Sequence, residues 1–391
     1  MFDKELVNKF KSLPTPFYYY DISLLKETVT IITEESGKFG YKVHYAVKAN
    51  ANDKILKIIK ENGLGADCVS GNEVKKSIEI GFAPEEIVFA GVGKSDEEIN
   101  YALDKKIFCF NCESIQELEV IDQLAKGKNK TARIALRINP NIDAKTHLYI
   151  TTGLEENKFG LNQWDLEEAL KKLKVLKNIK LIGIHFHIGS QIKELEIFKN
   201  LCTKVNEMLD WFSANDILLE HINVGGGLGI DYENPDGNSI NDFNSFFSLF
   251  NEFIELKPGQ TLHFELGRTV VAQCGNLISK VLYVKKGINT NFAILDAGMT
   301  ELIRPALYQA YHKIENITAS ISSSLRENVS SRYDVVGPIC ESSDTFGKAL
   351  ILPEIKRGDL IAIRSAGAYG EVMSSNYNLR EKVEAYYSDE I

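Results

Sequence analysis

"YKVHYAVKANANDKILKIIKENGLGADCVS", residues 41–70, holds the fold in miniature. "YKVHYAV" (41–47) is aromatic, apolar and β-branched and reads as a strand. "DKILKIIKEN" (53–62) is apolar at three- and four-residue spacing, the mark of a helix with one buried face. "GLGADCVS" (63–70) reads as a strand again. Strand, helix, strand in so short a span is a βαβ unit, whose strands run parallel.

The unit recurs. Further strands are expected at "EIVFAGV" (86–92), "KIFCFNC" (106–112), "ARIALRIN" (132–139), "LIGIHFHIG" (181–189), "EHINVGGG" (220–227) and "TLHFELG" (261–267), with helical stretches such as "NEVKKSIEIG" (72–81) and "LEEALKKLKVL" (166–176) among them. Eight strands alternating with helices over about 225 residues predict a (β/α)8 barrel. An open doubly wound sheet is the competitor, and it would carry a glycine fingerprint after its first strand. The glycines of "GGGLGI" (225–230) lack the last position of that pattern and follow the seventh strand.

Beyond residue 274 the rhythm changes to "NLISKVLYVKK" (276–286), "FAILDAGM" (292–299), "YDVVGPIC" (333–340) and "KALILPEIKRGDLIAIRSAGAY" (348–369), strands joined by turns, with "KRGD" (356–359) a hairpin or loop. "TPFYYYD" (15–21) is one more strand, expected to pair with this region. The predicted organisation is a barrel over 22–274 and a β-rich domain built from 1–21 plus 275–391.

With 391 residues, 44% hydrophobic and 25% charged, the chain has room for both. A net charge of −9 argues against a nucleic-acid partner. "MFDKELVNKF" (1–10) lacks the apolar run of a secretory signal, and no stretch reaches membrane-spanning length, so a cytoplasmic location without a membrane partner is expected. The six cysteines (68, 109, 112, 202, 274, 340) are then free thiols, and the Cys109–Cys112 pair has no second pair to complete a zinc site.

Functional groups of such barrels gather at the C-terminal ends of the strands. Here the first strand ends in Lys48, the sixth carries His185 and His187 followed by Ser190, the seventh opens into Gly225, Gly226 and Gly227, and the eighth ends in Glu265, Gly267 and Arg268. Each has a bland alternative. Lys48 could be a surface lysine, the glycines a flexible turn, and Glu265 half of a salt bridge with Arg268. One histidine could be a hydrogen-bonded core residue, or both could be metal ligands. Together, a lysine, a glycine cradle for phosphate, a ring-stacking imidazole and a buried carboxylate fit one cofactor, pyridoxal phosphate. A lysine stands at the strand tip because the aldehyde must be met there.

"YAVKAN" (45–50), "HFHIGSQ" (185–191), "GGGLGI" (225–230), "FELGR" (264–268), "CESSD" (340–344) and "AGAYG" (366–370) resemble, in order and over nearly the whole chain, the motifs of the group III pyridoxal-phosphate decarboxylases, most of all the branch acting on meso-2,6-diaminopimelate. The resemblance implies an alanine racemase-like barrel with a C-terminal β domain (fold type III). It also implies decarboxylation of that substrate to L-lysine and carbon dioxide, the last step of lysine biosynthesis, by a homodimer with shared active sites. Lys48 resembles the Schiff-base lysine, His187 the ring-stacking histidine, and Glu265 the partner of the ring nitrogen. Ser190 and the glycines match the phosphate site. Arg268, Arg304, Tyr308, Glu341 and Tyr369 match substrate-binding positions, Tyr369 also lying near the phosphate, and Cys340 matches the acid that protonates the product carbon. No metal is implied.

Three departures stand out: Leu266 in "ELGR" where the family has proline, Asn72 in "SGNE" where it has glycine, and a tail without the usual Pro-Ala-Glu after "SSNYNLR" (374–380). Among related enzymes, racemases resemble one another in placing an arginine at the ring nitrogen, so Glu265 favours decarboxylation. Arginine's fork suits a distal carboxylate, which ornithine and arginine lack. Two other readings stay open: a metal-dependent barrel hydrolase using His185 and His187, and a silent cofactor carrier.

Overall fold

The structure is a computed structural model that describes residues 2–142, 158–321 and 330–391. The chain divides into two compact units, Lys26–Gly229 with Asp242–Val270, and Met1–Leu25 with Ile230–Asn241 and Val271–Ile391.

The first unit is the predicted barrel. Numbering strands along the chain, and leaving β1 (Phe17–Tyr20) for the other unit, β2 (Lys42–Ala46), β3 (Gly65–Cys68), β4 (Ile87–Phe89), β5 (Cys109–Cys112), β6 (Ala132–Arg137), β7 (Ile179–His185), β8 (His221–Asn223) and β9 (Thr261–Leu266) pair in sequence order, and β2 closes on β9. All these pairings are parallel. The strands are short and buried on both faces, which is why they read as apolar runs instead of alternating ones.

The helices between them start at polar caps that lie two to six residues after a strand end. Asn52, Ser70, Ser95 and Ser114 each accept a backbone N–H of the first helical turn. The Asp53–Glu61 helix then buries Ile55, Leu56, Ile58 and Ile59 and leaves its lysines outside. Each cap turns the chain sharply at the C-terminal rim, so what projects from the rim is set by the last residues of the strands. At the opposite end the barrel is plugged by His44, His221, His263 and Phe108, with His44 Nε2 2.9 Å from His263 Nδ1 and the His221 and His263 ring centroids 4.0 Å apart. Burial first, then the neighbouring histidines, push His221 and His263 well below the ordinary imidazole range. This plug is therefore neutral.

The second unit is a sheet in the order β12–β15–β10–β11–β13–β14, where β10 is Gly275–Lys285, β11 Asn291–Leu295, β12 Ile314–Asn316, β13 Ser330–Val336, β14 Thr345–Pro353 and β15 Leu360–Ile363. β1 runs antiparallel to β10, the pairing anticipated for "TPFYYYD", and on its other side parallel to β16 (Glu384–Tyr387). "KRGD" is a loop and not a hairpin, because β14 pairs with β13 while β15 pairs with β10 and β12. Val7, Phe10, Phe17, Tyr19, Ile278, Ile317, Leu360 and Ala362 form the core. Among the described residues no helix is long and apolar enough to cross a membrane.

One buried cation organises this unit. Arg364 reaches Asp236 with both terminal nitrogens (2.7 and 3.2 Å), Glu315 at 2.6 Å and, from Nε, Asn276 Oδ1 at 2.9 Å. Its hydrogen bond and charge hold the Asp236 carboxyl down at about 2. Arg364→Met, which keeps the stem, should destabilise the protein by about 2–4 kcal/mol, somewhat under a fully buried pair because both carboxylates keep some solvent contact. Since Asp236 is depressed in the folded state, its share of that difference is fully present above pH 4 and fades as pH falls toward 2. Urea unfolding of both proteins across pH 2–6 measures it; a gap that does not narrow toward pH 2 would refute the coupling.

Candidate active site

The rim of the barrel carries a ring of polar residues, most at or one position before the end of a strand. Asp67 lies one before the end of β3, Asn111 one before the end of β5, Arg137 at the end of β6, His185 of β7, Asn223 of β8, and Glu265 one before the end of β9. Lys48 follows β2 in a single 3-10 turn, Val47–Ala49.

Glu265 is the centre of this ring and only 6% exposed. Oε2 lies 2.9 Å from His185 Nε2, and Oε1 accepts from Asn223 Nδ2 at 2.7 Å and Asn111 Nδ2 at 3.1 Å. Burial alone would raise this carboxyl; His185, by charge and hydrogen bond, with Lys48 and His187 behind it, holds it well below the carboxylate range. The group stays ionised inside the protein. Arg268 is not its partner: the guanidinium donates to Ser190 Oγ at 2.9 Å. Of the histidine pair, His185 is the one that meets Glu265, while His187 stands beyond the end of β7, with its pKa driven well down by burial and then by Lys48 and Arg137. Among the described residues no group of three or more His, Cys, Asp or Glu is arranged to hold a metal ion.

Lys48 Nζ stands 3.8 Å from Asp67 Oδ2. Asp67 is buried, its Oδ1 has no hydrogen-bond partner among the described residues, and burial, reinforced by Glu265, pushes it up to about 8 against the pull of Lys48. The glycine loop follows β8. Gly225 and Gly227 adopt φ of +70° and +104°, and a Cβ on Gly226 would overlap the Glu265 carbonyl oxygen. Ile192 N–H donates to Gly227 O, and Gly229 N–H to Ile192 O, both at 2.9 Å, tying this loop to the one that carries Ser190. A lysine, a side-chain-free cradle and an ionised carboxylate on one rim fit an aromatic phosphate cofactor with an aldehyde and a ring nitrogen.

A family model described as "Pyridoxal-dependent decarboxylase, pyridoxal binding domain" matches residues 26–272. The chain is 59% identical over 98% of both chains to a diaminopimelate decarboxylase of Bacteroides thetaiotaomicron. It belongs to the diaminopimelate decarboxylase family of pyridoxal-dependent decarboxylases. Among solved structures, the family member from Helicobacter pylori complexed with L-lysine superposes with a TM-score of 0.89 at 41% identity, covering 97% of this chain and 93% of that one. The M. jannaschii enzyme in complex with L-lysine gives 0.85 at 33%, covering 98% and 89%.

Gly267 directly follows β9 in the barrel unit, and the remaining predicted site residues of this family member lie in the β-rich unit. Arg304 and Tyr308 bound a short helix, and buried Arg304 donates from Nε to His312 Nε2 at 3.3 Å. Cys340 and Glu341 are exposed on a loop braced by Asp344, which accepts from the N–H groups of Met299 (2.6 Å) and Ile339 (2.7 Å). Asn378 Nδ2 donates to Cys340 Sγ at 3.3 Å and Tyr377 OH to Glu341 Oε1 at 2.8 Å. Tyr369 sits at a φ of +56°, an uncommon conformation for a side-chain-bearing residue. Sequence reading passed over Asp67, Asn111, Arg137 and Asn223. A signal for them existed: each is a polar residue near the end of an apolar barrel strand.

Asp67 gives a pH test. Its folded pKa is raised, so the folded state holds a proton that the unfolded chain has lost from about pH 4 upward, and stability should fall as pH rises from 4 to 8. Asp67→Asn removes that loss. In urea unfolding of the apoprotein the variant should gain on wild type across this window by up to about 1.4 kcal/mol per pH unit and stay level above it. A pH-independent difference would mean that Asp67 is ionised throughout.

Proposed function

We propose that this chain decarboxylates meso-2,6-diaminopimelate to L-lysine and carbon dioxide in the cytoplasm, with pyridoxal phosphate held in the barrel mouth. The observation that carries the reading is the ionised Glu265 at the rim shared with Lys48 and the glycine loop. When bound, pyridoxal phosphate supplies an electron sink for the pair left behind by carbon dioxide. A carboxylate kept charged by His185 keeps the ring nitrogen protonated, which that sink requires. Lys48 would hold the aldehyde end of that group, and His187 would serve its ring. Ser190, Gly225, Gly226, Gly227, Gly267 and Arg268, with Tyr369, would receive the phosphate through N–H groups, hydroxyls and a guanidinium.

Substrate choice falls to Arg268, Arg304, Tyr308, Glu341 and Tyr369. Diaminopimelate presents a second amino-acid head; a planar guanidinium matches its carboxylate and Glu341 its ammonium. Cys340, whose sulfur accepts from Asn378, delivers the proton to the carbon that loses carbon dioxide. The diaminopimelate decarboxylases among its relatives, and the L-lysine in two of their structures, support this choice of substrate and product.

Carbon-dioxide release measured over meso-diaminopimelate, ornithine, arginine and lysine should show turnover of the first alone. Arg304→Lys keeps the charge and loses the fork, and should raise KM by about ten- to a hundredfold, the worth of one charged hydrogen bond. Faster release from ornithine or arginine would overturn the substrate.

The working form is a homodimer in which Cys340 and Glu341 of one subunit serve the barrel of the other. Supporting this, the loop is exposed, and Leu307 (45%), Tyr311 (52%), Tyr377 (47%) and Leu379 (95%) in the same unit leave apolar surface open. Two-fold dimers are the commonest oligomers. Mixing inactive Lys48→Ala with inactive Cys340→Ala should then restore up to roughly a quarter of wild-type activity, because half of randomly exchanged dimers carry one whole site. Background activity after demonstrated subunit exchange would rule out the shared site.

A further inference from the structure

Asn223 closes β8, is fully buried, and takes no part in the roles assigned above. Its side-chain amide makes two hydrogen bonds in opposite senses. Nδ2 donates to Glu265 Oε1 at 2.7 Å, and Oδ1 accepts from the backbone N–H of Gly225 at 2.8 Å. The amide can face only one way, since a flip would set oxygen against carboxylate and N–H against N–H. Gly225 is gripped a second time, its carbonyl accepting from the Glu265 backbone N–H at 2.8 Å. Asn111 donates to the same carboxylate oxygen at 3.1 Å, but its carbonyl oxygen faces the Cys109 thiol. Asn111 supports the carboxylate alone; Asn223 joins it to the head of the loop.

We propose that Asn223 is a positioning residue that registers the glycine loop against Glu265, so that one side chain sets the separation of the phosphate end and the ring-nitrogen end of the cofactor site. The inference rests on the reading that this mouth holds pyridoxal phosphate. That molecule is rigid between ring nitrogen and phosphate, so a mouth that lets its two ends drift apart loses fit at one of them, and small misplacements are costly in rate.

Two substitutions separate the two bonds. Asn223→Asp keeps an acceptor for Gly225 and sets a second carboxylate oxygen against Glu265; Asn223→Leu removes both bonds. The apoproteins are titrated by absorbance with pyridoxal phosphate and with pyridoxal, which lacks the phosphate, and the loaded enzymes are assayed for kcat and KM. In Asn223→Leu the preference for the phosphorylated form should shrink by roughly tenfold or more, as expected for a buried hydrogen bond lost, and kcat should fall as well. In Asn223→Asp the preference should stay within about threefold of wild type while kcat falls about tenfold at unchanged KM.

A lowered melting temperature with both the preference and kcat intact would mean that Asn223 only fills space, and would overturn the proposal. Should Asn223→Leu fail to fold, the near-isosteric Asn223→Asp decides alone: a wild-type kcat overturns the proposal, and a loss of kcat with the phosphate preference kept supports it. Wild-type protein that binds neither compound would overturn the cofactor reading and this one with it. Wild-type binding without the variant pattern overturns this one alone.

Discussion

A carboxylate that must stay charged inside a barrel is the constraint from which the rest of the mouth follows. Moving an ion out of water costs several kcal/mol even after relaxation, and a lone carboxyl in that position would take up a proton instead. Glu265 is spared this because β5, β7 and β8 each carry, at or one position before the end, a group that hydrogen-bonds it: Asn111, His185 and Asn223. A closed parallel barrel suits that task, since it brings the C-terminal ends of neighbouring and opposite strands to one rim. The same requirement explains the glycines. The loop after β8 packs on the backbone of Glu265 so closely that a side chain at Gly226 has no room.

Polarity is graded along the barrel axis. At the closed end His44, His221 and His263 fill the interior as neutral rings, their positive forms disfavoured first by burial. At the open end stand Lys48, Arg137, Glu113 and Glu265, and Glu265 is held ionised by the groups around it. Arg137 meets Glu113 at 2.7 Å, and Glu113 also accepts the N–H groups of Gly91 (3.1 Å) and Gly160 (2.9 Å). A neutral plug beneath a charged rim keeps the field of the site at the mouth, where a charged cofactor and substrate would enter.

The barrel was legible because its signal is periodic. Apolar runs and three-to-four spacing survive any detail of packing, and all eight strands read from the sequence are present. Lys48, His187 and Glu265 were legible because they stand at strand ends where an apolar segment stops. Asn111 and Asn223 share that position but were passed over, because within "CFNC" and "HINV" a single amide looks like an interruption, and only the closed barrel shows that both amides converge on one carboxylate. Long-range polar clusters escape for the same reason. Nothing in the sequence near Arg364 announces Asp236, which lies 128 positions earlier. The strand at the tail, β16, carries too few residues to register as a pattern and exists because β1 offers it a free edge.

The three departures from the family pattern are each absorbed by a local structure that does not need the usual residue. Leu266 continues β9 by one position, in register with Tyr45 of β2, and its side chain is buried; the strand pairing takes over the backbone restraint that a proline would impose. Asn72 occupies the exposed first turn of the Gly71–Ile80 helix, where its side chain meets water, while its neighbours do the capping: Ser70 Oγ accepts the Glu73 N–H and the Glu73 carboxylate accepts the Val69 N–H at 2.7 Å. The tail dispenses with Pro-Ala-Glu because Glu384–Tyr387 is held by main-chain pairing to Phe17–Tyr20. Main-chain pairing is indifferent to side-chain identity, and so is a solvent-facing helical position. The changes thus fall where the backbone carries the structure, whereas Glu265 and the amides that hold it lie where side chains do.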